Sequence, residues 1–136
     1  MQYMLRPPVS VARAFVDAIN AHALDELTKL MSNEHRFIDS LGAMAQDREK
    51  MRNGWAAYFR MVPDYTVFVE EVFSRGPVVV RLGTARGAYA KDGQVAAKNF
   101  WHTPAAWRAQ IKGNKVAAWR VDADNEPMRP LMRGDK

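Results

Sequence analysis

The chain contains no cysteine, and this absence removes several functions at once. Without cysteine there can be no disulfide, no thiolate zinc site and no cysteine nucleophile. No apolar run approaches the roughly twenty residues of a membrane-spanning helix. The first residues, 1–8, also lack the charged and apolar segments of a signal peptide. We therefore expect a cytoplasmic protein that does not enter a membrane.

The sequence also lacks the clustered basic residues that nucleic-acid-binding proteins carry. Its formal net charge is +5, but lysines and arginines are scattered among acidic residues, as in Asp47-Arg48-Glu49-Lys50. The one local excess of positive charge is the tail from Arg129 to Lys136. No basic run has interleaved aromatics, and no helix-turn-helix or zinc-finger spacing is present. We expect no nucleic-acid partner.

Metal-binding and cofactor-binding motifs are missing as well. His22, His35 and His102 stand far apart in the sequence and form no recognised metal-ligand motif, so a metal site is not expected. The glycines form no phosphate-cradling pattern, so no nucleotide is implied. We therefore expect neither a metal nor a cofactor.

The chain contains predicted helices followed by predicted strands, in a number that fits a single domain. Apolar residues recur at helical spacing in three segments, which predicts helices near 10–21, 24–31 and 47–62. Segments rich in valine, threonine and aromatics predict strands near 35–39, 65–74, 78–89, 98–111 and 116–123. Helices first and antiparallel strands afterwards indicate an α+β fold. With neither repeat nor linker, residues 1–136 form a single domain, with a core about 9–131 and a basic tail 129–136.

The segment Glu34–Gly42 carries the most informative residue, Asp39. It alternates like a strand, with His35, Phe37 and Asp39 on one face. Large Phe37 marks that face as the buried one, where a carboxylate is costly unless it is paired, hydrogen-bonded or protonated. Proteins tend to keep such a group for chemistry or ligand binding. The other explanation is that Asp39 caps the Ser40-Leu41-Gly42 turn through its own backbone.

Three segments resemble the nuclear transport factor 2-like superfamily, and within it the SnoaL-like and ketosteroid isomerase-like branch. They are Ala14–His22, Phe37–Gly42 and Ala118–Pro127. The likeness extends from Val9 to Leu131. It implies a cone-shaped α+β barrel, in which N-terminal helices pack on a curved, mostly antiparallel sheet around a pocket, often in a homodimer. Members include isomerases, cyclases, dehydratases, epoxide hydrolases and binding or scaffold proteins.

The residue roles of ketosteroid isomerase transfer only in part. Its general base corresponds to Asp39. Its oxyanion-hole tyrosine corresponds to Phe15, which has no hydroxyl, and its protonated aspartate donor falls near Ala105. Because such donors contribute orders of magnitude in rate, the resemblance does not imply steroid isomerisation by that mechanism. The Asp-Arg-Asp arrangement of limonene-type epoxide hydrolases is not evident either.

Strand alternation, combined with the resemblance, predicts which residues line the pocket and which face outward. The expected ligand-binding residues are Phe15, Ile19, Phe37, Trp55, Phe59, Trp101, Thr103, Trp107 and Trp119. Such a lining favours a flat apolar or aromatic molecule with one or two polar groups, although each aromatic could instead simply fill the core. The outward residues are expected to be Phe100, His102, Arg108, Arg120 and Asp122, and we expect a homodimer through this outer sheet face.

The favoured function is cofactor-independent proton transfer on an apolar substrate, cyclic molecules included, as an isomerase, cyclase or dehydratase. Asp39 is the expected base, with Tyr58 or His35 as the polar assistant. The alternative is a non-catalytic ligand-binding or dimeric accessory domain. The retained Asp39 favours the enzyme, and the missing oxyanion donors favour the binding domain.

Overall fold

The structure, a computed structural model, describes residues 5–91, 94–124, 126, 127 and 130. Its three helices are α1 (Pro8–Asn20), α2 (Leu24–Lys29) and α3 (Arg48–Met61). Its strands are β1 (Met31–Ile38), β2 (Met44–Gln46), β3 (Thr66–Arg75), β4 (Val78–Lys91), β5 (Gln94–Lys112) and β6 (Lys115–Ala123). All three predicted helices and all five predicted strands are therefore present. The predicted basic tail lies outside the described residues apart from Pro130.

The region around the candidate base differs from the prediction in two ways. β1 begins at Met31, which was assigned to the second helix, and it ends at Ile38, so Asp39 lies just beyond the strand. The short strand β2 was not predicted, because three residues are too few to show an alternating pattern. β2 pairs antiparallel with β1 and places Ala45 beside Phe37.

The six strands form one open sheet in the order β2-β1-β6-β5-β4-β3. Neighbouring strands are antiparallel except for β1 and β6, which run parallel and place Phe37 beside Trp119. The helices pack on this curved, mostly antiparallel sheet, which confirms the predicted α+β fold. The sheet is not closed into a barrel.

The apolar face of α1 and the inner face of the sheet form the core. Phe15 and Ile19 of α1 are fully buried, and so are Trp107 of β5 and Trp119 of β6. The Phe15 and Trp119 rings lie 4.8 Å apart between centroids. Burying large aromatic side chains is among the strongest stabilising contributions available to a domain of this size. Among the described residues, none of the helices is long and apolar enough to span a membrane.

Two glycines of β4 allow neighbouring segments to approach the sheet closely. A Cβ at Gly83 would overlap the Phe68 carbonyl oxygen, and one at Gly87 would overlap the Val62 side chain. Only glycine fits such a close approach. The contact at Gly87 also brings the segment that follows α3, including Tyr65, against the sheet.

Candidate functional site

A cavity of about 460 Å³ lies between α3 and the ends of the first and last strands. One side is contributed by α3 through Lys50, Met51, Gly54, Trp55 and Tyr58. The other sides are contributed by Phe37, Asp39, Ser40, Ala45, Tyr65 and Val121.

The sequence around α3 explains why this helix presents a face to the cavity. Asp47 caps its start, because the Asp47 carboxylate accepts a hydrogen bond from the Lys50 backbone N–H at 3.2 Å. The lining residues of α3 then follow at intervals of three and four residues, which places them on one face of a helix. Asp47 has a φ of 98°, a strained conformation for a residue other than glycine.

Four aromatic rings line the cavity, and successive rings meet nearly at right angles. The Phe37 and Trp55 rings are inclined at 82° with centroids 6.2 Å apart. Trp55 and Tyr58 are inclined at 89° at the same separation. Tyr58 and Tyr65 are inclined at 85° with centroids 5.0 Å apart. Such edge-to-face contacts are a favoured arrangement of aromatic pairs, so they support the shape of the wall.

Asp39 combines the two roles that its sequence position allows. Its Oδ1 accepts hydrogen bonds from the backbone N–H groups of Leu41 at 2.9 Å and Ala43 at 3.0 Å, so the carboxylate caps the turn. The same half-buried side chain lines the cavity. Within the described part of the chain, Oδ2 has no hydrogen-bond partner. The turn therefore holds the carboxylate in place and leaves one oxygen available.

Two tyrosines supply phenol groups to the cavity. Burial raises the pKa of Tyr58, and the nearby Tyr65 raises it further. Burial also raises the pKa of Tyr65, partly offset by the hydrogen bond that its hydroxyl accepts from Trp107. Both phenols therefore stay protonated near neutral pH and can donate hydrogen bonds. The indole nitrogen of Trp55 has no partner among the described residues, but it is fully buried and therefore is not presented to the cavity.

His35, expected to assist Asp39, lies outside the cavity lining and in the core. It is fully buried, and its Nδ1 lies 2.7 Å from the Val116 carbonyl oxygen. Because a carbonyl only accepts, Nδ1 carries the proton. Burial lowers the pKa of His35, although the hydrogen bond to Val116 acts in the opposite direction. The imidazole is thus a neutral link between β1 and β6.

The structure brings together some of the predicted site residues and separates others. Asp39, Phe37, Trp55 and Tyr58 line the cavity. The other predicted ligand-binding residues are not in this lining, and they pack in or against the core: Phe15, Ile19, Phe59, Trp101, Thr103, Trp107 and Trp119. Phe59 stacks on His22 with ring centroids 4.2 Å apart.

Several lining residues were not predicted, although some left a signal in the sequence. Lys50, Met51 and Gly54 occupy the helical face of Trp55 and Tyr58, so their spacing could have identified them. Tyr65 gave no such signal, because its position depends on the close approach at Gly87. Among the described residues, no group of three or more His, Asp or Glu side chains could hold a metal ion.

The helices, the open sheet and the cavity together define a pocket-bearing domain of the nuclear transport factor 2-like fold. The chain belongs to the SnoaL-like domain family, which it matches over residues 12–123. No curated protein matches the chain in sequence.

Solved structures share this fold at low sequence identity. A candidate SnoaL-like polyketide cyclase from Shewanella denitrificans OS-217 has a TM-score of 0.80 and 16% identity, with 96% of this chain and 100% of that chain covered. IdmH, a candidate polyketide cyclase from Streptomyces antibioticus, has a TM-score of 0.77 and 17% identity, with coverage of 94% and 99%. A protein of ketosteroid isomerase-like fold from Catenulispora acidiphila DSM 44928, crystallised with trimethylamine, has a TM-score of 0.71, 17% identity and 82% coverage of both chains.

Proposed function

We propose that the protein is a cofactor-independent enzyme that transfers a proton on a flat, apolar carbonyl compound, with Asp39 as the base. The observation that carries this proposal is the available Oδ2 of Asp39 in the same aromatic cavity as the Tyr58 phenol. The cyclase names of structural neighbours and the trimethylamine complex of another support a small-molecule role for such a pocket.

The proposed reaction begins at the carbon next to the substrate carbonyl. Asp39 Oδ2 takes a proton from that carbon, and the electron pair left behind moves to the carbonyl oxygen to form an enolate. If the substrate also carries a carbon–carbon double bond conjugated with this enolate, the protonated Asp39 returns the proton to the far carbon of that double bond, and the double bond moves into conjugation with the carbonyl, which completes an isomerisation. Attack of the enolate on a second carbonyl of the same molecule would instead give a cyclic aldol, whose oxygen takes the proton from Asp39.

The enolate oxygen needs hydrogen-bond donors. The two positions that supply them in ketosteroid isomerase are occupied here by Phe15 and Ala105, whose side chains cannot donate. We assign this role to the Tyr58 hydroxyl, which burial keeps protonated. Donors fixed in a dry cavity stabilise developing negative charge far better than water does. Tyr58 belongs to the face of α3 that lines the cavity, so this helix would position the donor.

Exchange of deuterium into 2-tetralone, a flat cyclic ketone, tests this proposal. In D₂O, NMR should show enzyme-catalysed exchange at the carbons beside the carbonyl. Asp39→Asn should abolish that exchange, and Tyr58→Phe should slow it by about 10²-fold, the scale expected for loss of one such donor. Asp122→Asn is the matched control, because it removes an exposed carboxylate from the outer face. Exchange that persists at the wild-type rate in Asp39→Asn would overturn the assignment of the base.

A non-catalytic ligand-binding domain is the second candidate, and the turn-capping role of Asp39 favours it. In that case the wild-type protein binds 2-tetralone, seen as a change in tryptophan fluorescence, but catalyses no exchange. Asp39→Asn would then weaken the turn and leave binding nearly unchanged.

A further inference from the structure

We infer that the cavity selects ligands that carry a substituted ammonium group, which would be held by ring faces and by Asp39. This inference goes beyond the proposed function: it names a second ligand class for the same cavity, apolar amine cations, which would occupy Asp39 in place of the carbonyl compound.

The arrangement of the aromatic wall is the first argument. Phe37, Trp55, Tyr58 and Tyr65 all line the cavity, and successive rings turn by 82°, 89° and 85°. A group inside the cavity therefore meets aromatic surfaces from several directions. Aromatic faces carry a partial negative charge, and perpendicular aromatic walls are the arrangement that proteins use to hold quaternary ammonium groups.

The charges of the lining are the second argument. Among the described residues of this lining, Asp39 is the only carboxylate; it is half-buried, with its orientation fixed by two backbone donors. Lys50 is the only basic residue among those described, and it is exposed, so water screens its charge more effectively. The less screened of these two charges is therefore the negative one. An ammonium group would pair with Asp39 and satisfy its Oδ2.

The size of the cavity is the third argument. A volume of about 460 Å³ exceeds that of a trimethylammonium head, which leaves space for an apolar body. The ligand class is thus an amine cation with an apolar body.

Choline and its uncharged carbon isostere, 3,3-dimethylbutan-1-ol, are suitable probes because they differ mainly in the positive charge. Titrated calorimetrically into the full chain at pH 7, choline should bind at least about tenfold more tightly than the alcohol, the scale of a desolvated cation–π contact. Phe37→Leu and Asp39→Asn should each weaken choline binding about tenfold and change binding of the alcohol by less than about threefold. Phe37→Tyr keeps the ring and should restore choline binding. Equal affinities for choline and the alcohol would overturn the inference.

Variants at Tyr58 and Lys50, with Lys29 as the control position, separate this inference from the proposed function. Tyr58→Phe keeps the ring face, so choline binding should persist while exchange into 2-tetralone slows. Lys50→Gln should strengthen choline binding by removing the competing charge, whereas Lys29→Gln, on exposed α2, should not. Failure of 2-tetralone exchange with selective choline binding would contradict only the proton-transfer proposal. Retained exchange with no preference for choline would contradict only the present inference.

Discussion

His35 shows how a single side chain can make the fold depend on pH. Burial lowers the pKa of His35 below its ordinary value of 6.5, so the folded protein resists a proton that the unfolded chain accepts. Its contribution to stability is complete above pH 6.5 and declines as the pH falls through the lowered folded value. We expect the free energy of unfolding to fall between pH 8 and pH 5.

The His35→Gln variant provides the test for this pH dependence. It should remove this part of the pH dependence, because glutamine does not titrate. It should also lower stability at pH 8 by about 1–3 kcal/mol, since the packing of the side chain in the core and its hydrogen bond to Val116 both change. Urea unfolding at both pH values measures both effects. His102→Gln, at an exposed position, is the control. The same pH slope in His35→Gln and wild type would contradict this assignment.

The residue scale also shows what alternation could and could not identify. The pattern of His35, Phe37 and Asp39 predicted one shared inward face, and Phe37 and Asp39 do line the cavity. The pattern could not show that His35 would be buried in the core, with its ring against Phe15 and its Nδ1 hydrogen-bonded to the Val116 carbonyl. That outcome depends on β6, which is distant in the sequence.

At the scale of the element, α3 contains a residue that costs stability and borders the cavity. Gly54 is exposed on the helix, and a Cβ there would meet only the Met51 Cε at 3.9 Å. Because glycine weakens a helix interior, Gly54→Ala should raise the free energy of unfolding by about 0.5–1 kcal/mol. Chemical denaturation measures this directly, and a loss of stability would contradict it.

A larger side chain at the same position should affect binding instead. Gly54→Leu keeps a strong helix former but directs bulk towards the cavity, so choline and 2-tetralone should both bind more weakly than to Gly54→Ala. Circular dichroism would verify that α3 is intact. Undiminished binding of both probes by a folded Gly54→Leu would place their site elsewhere.

The elements themselves differ in how much of them the sequence could reveal. α1 and α3 were predictable within about two residues, because their apolar stripes and flanking residues act locally. The strands β3, β4 and β6 were predictable from their β-branched and aromatic residues. The strand β2 and the early start of β1 were not, because both are defined by their pairing partners.

At the scale of the whole molecule, the outer sheet face leads to a prediction of self-association. Phe68, Phe73 and Phe100 are between 42% and 55% exposed, which leaves apolar area facing water. Phe73, Val80, Arg108 and Arg120 form one row across four strands, and the Arg86 guanidinium lies 4.2 Å from the Phe68 ring centroid. Such a mixture of aromatic and arginine side chains is typical of protein interfaces. We therefore propose a homodimer through this face.

Analytical ultracentrifugation at micromolar concentration should show a dimer. Phe100→Glu should convert it to a folded monomer, because a buried unpaired carboxylate is costly at an interface. Leu5→Glu, at another exposed apolar position, should leave the dimer intact. A wild-type monomer across the micromolar range would contradict this prediction.

The parallel pairing of β1 with β6 has a consequence for the order in which the protein can form. His35 and Val116 are separated by 81 residues, yet their hydrogen bond helps to fix the strand that leads to Asp39. During synthesis the amino-terminal helices and β1 leave the ribosome long before β6 exists. The wall of the cavity that carries the carboxylate therefore remains unsupported until translation has passed β6. Contacts so distant in the chain are also expected to make folding slow, since a long loop must be closed before they can form.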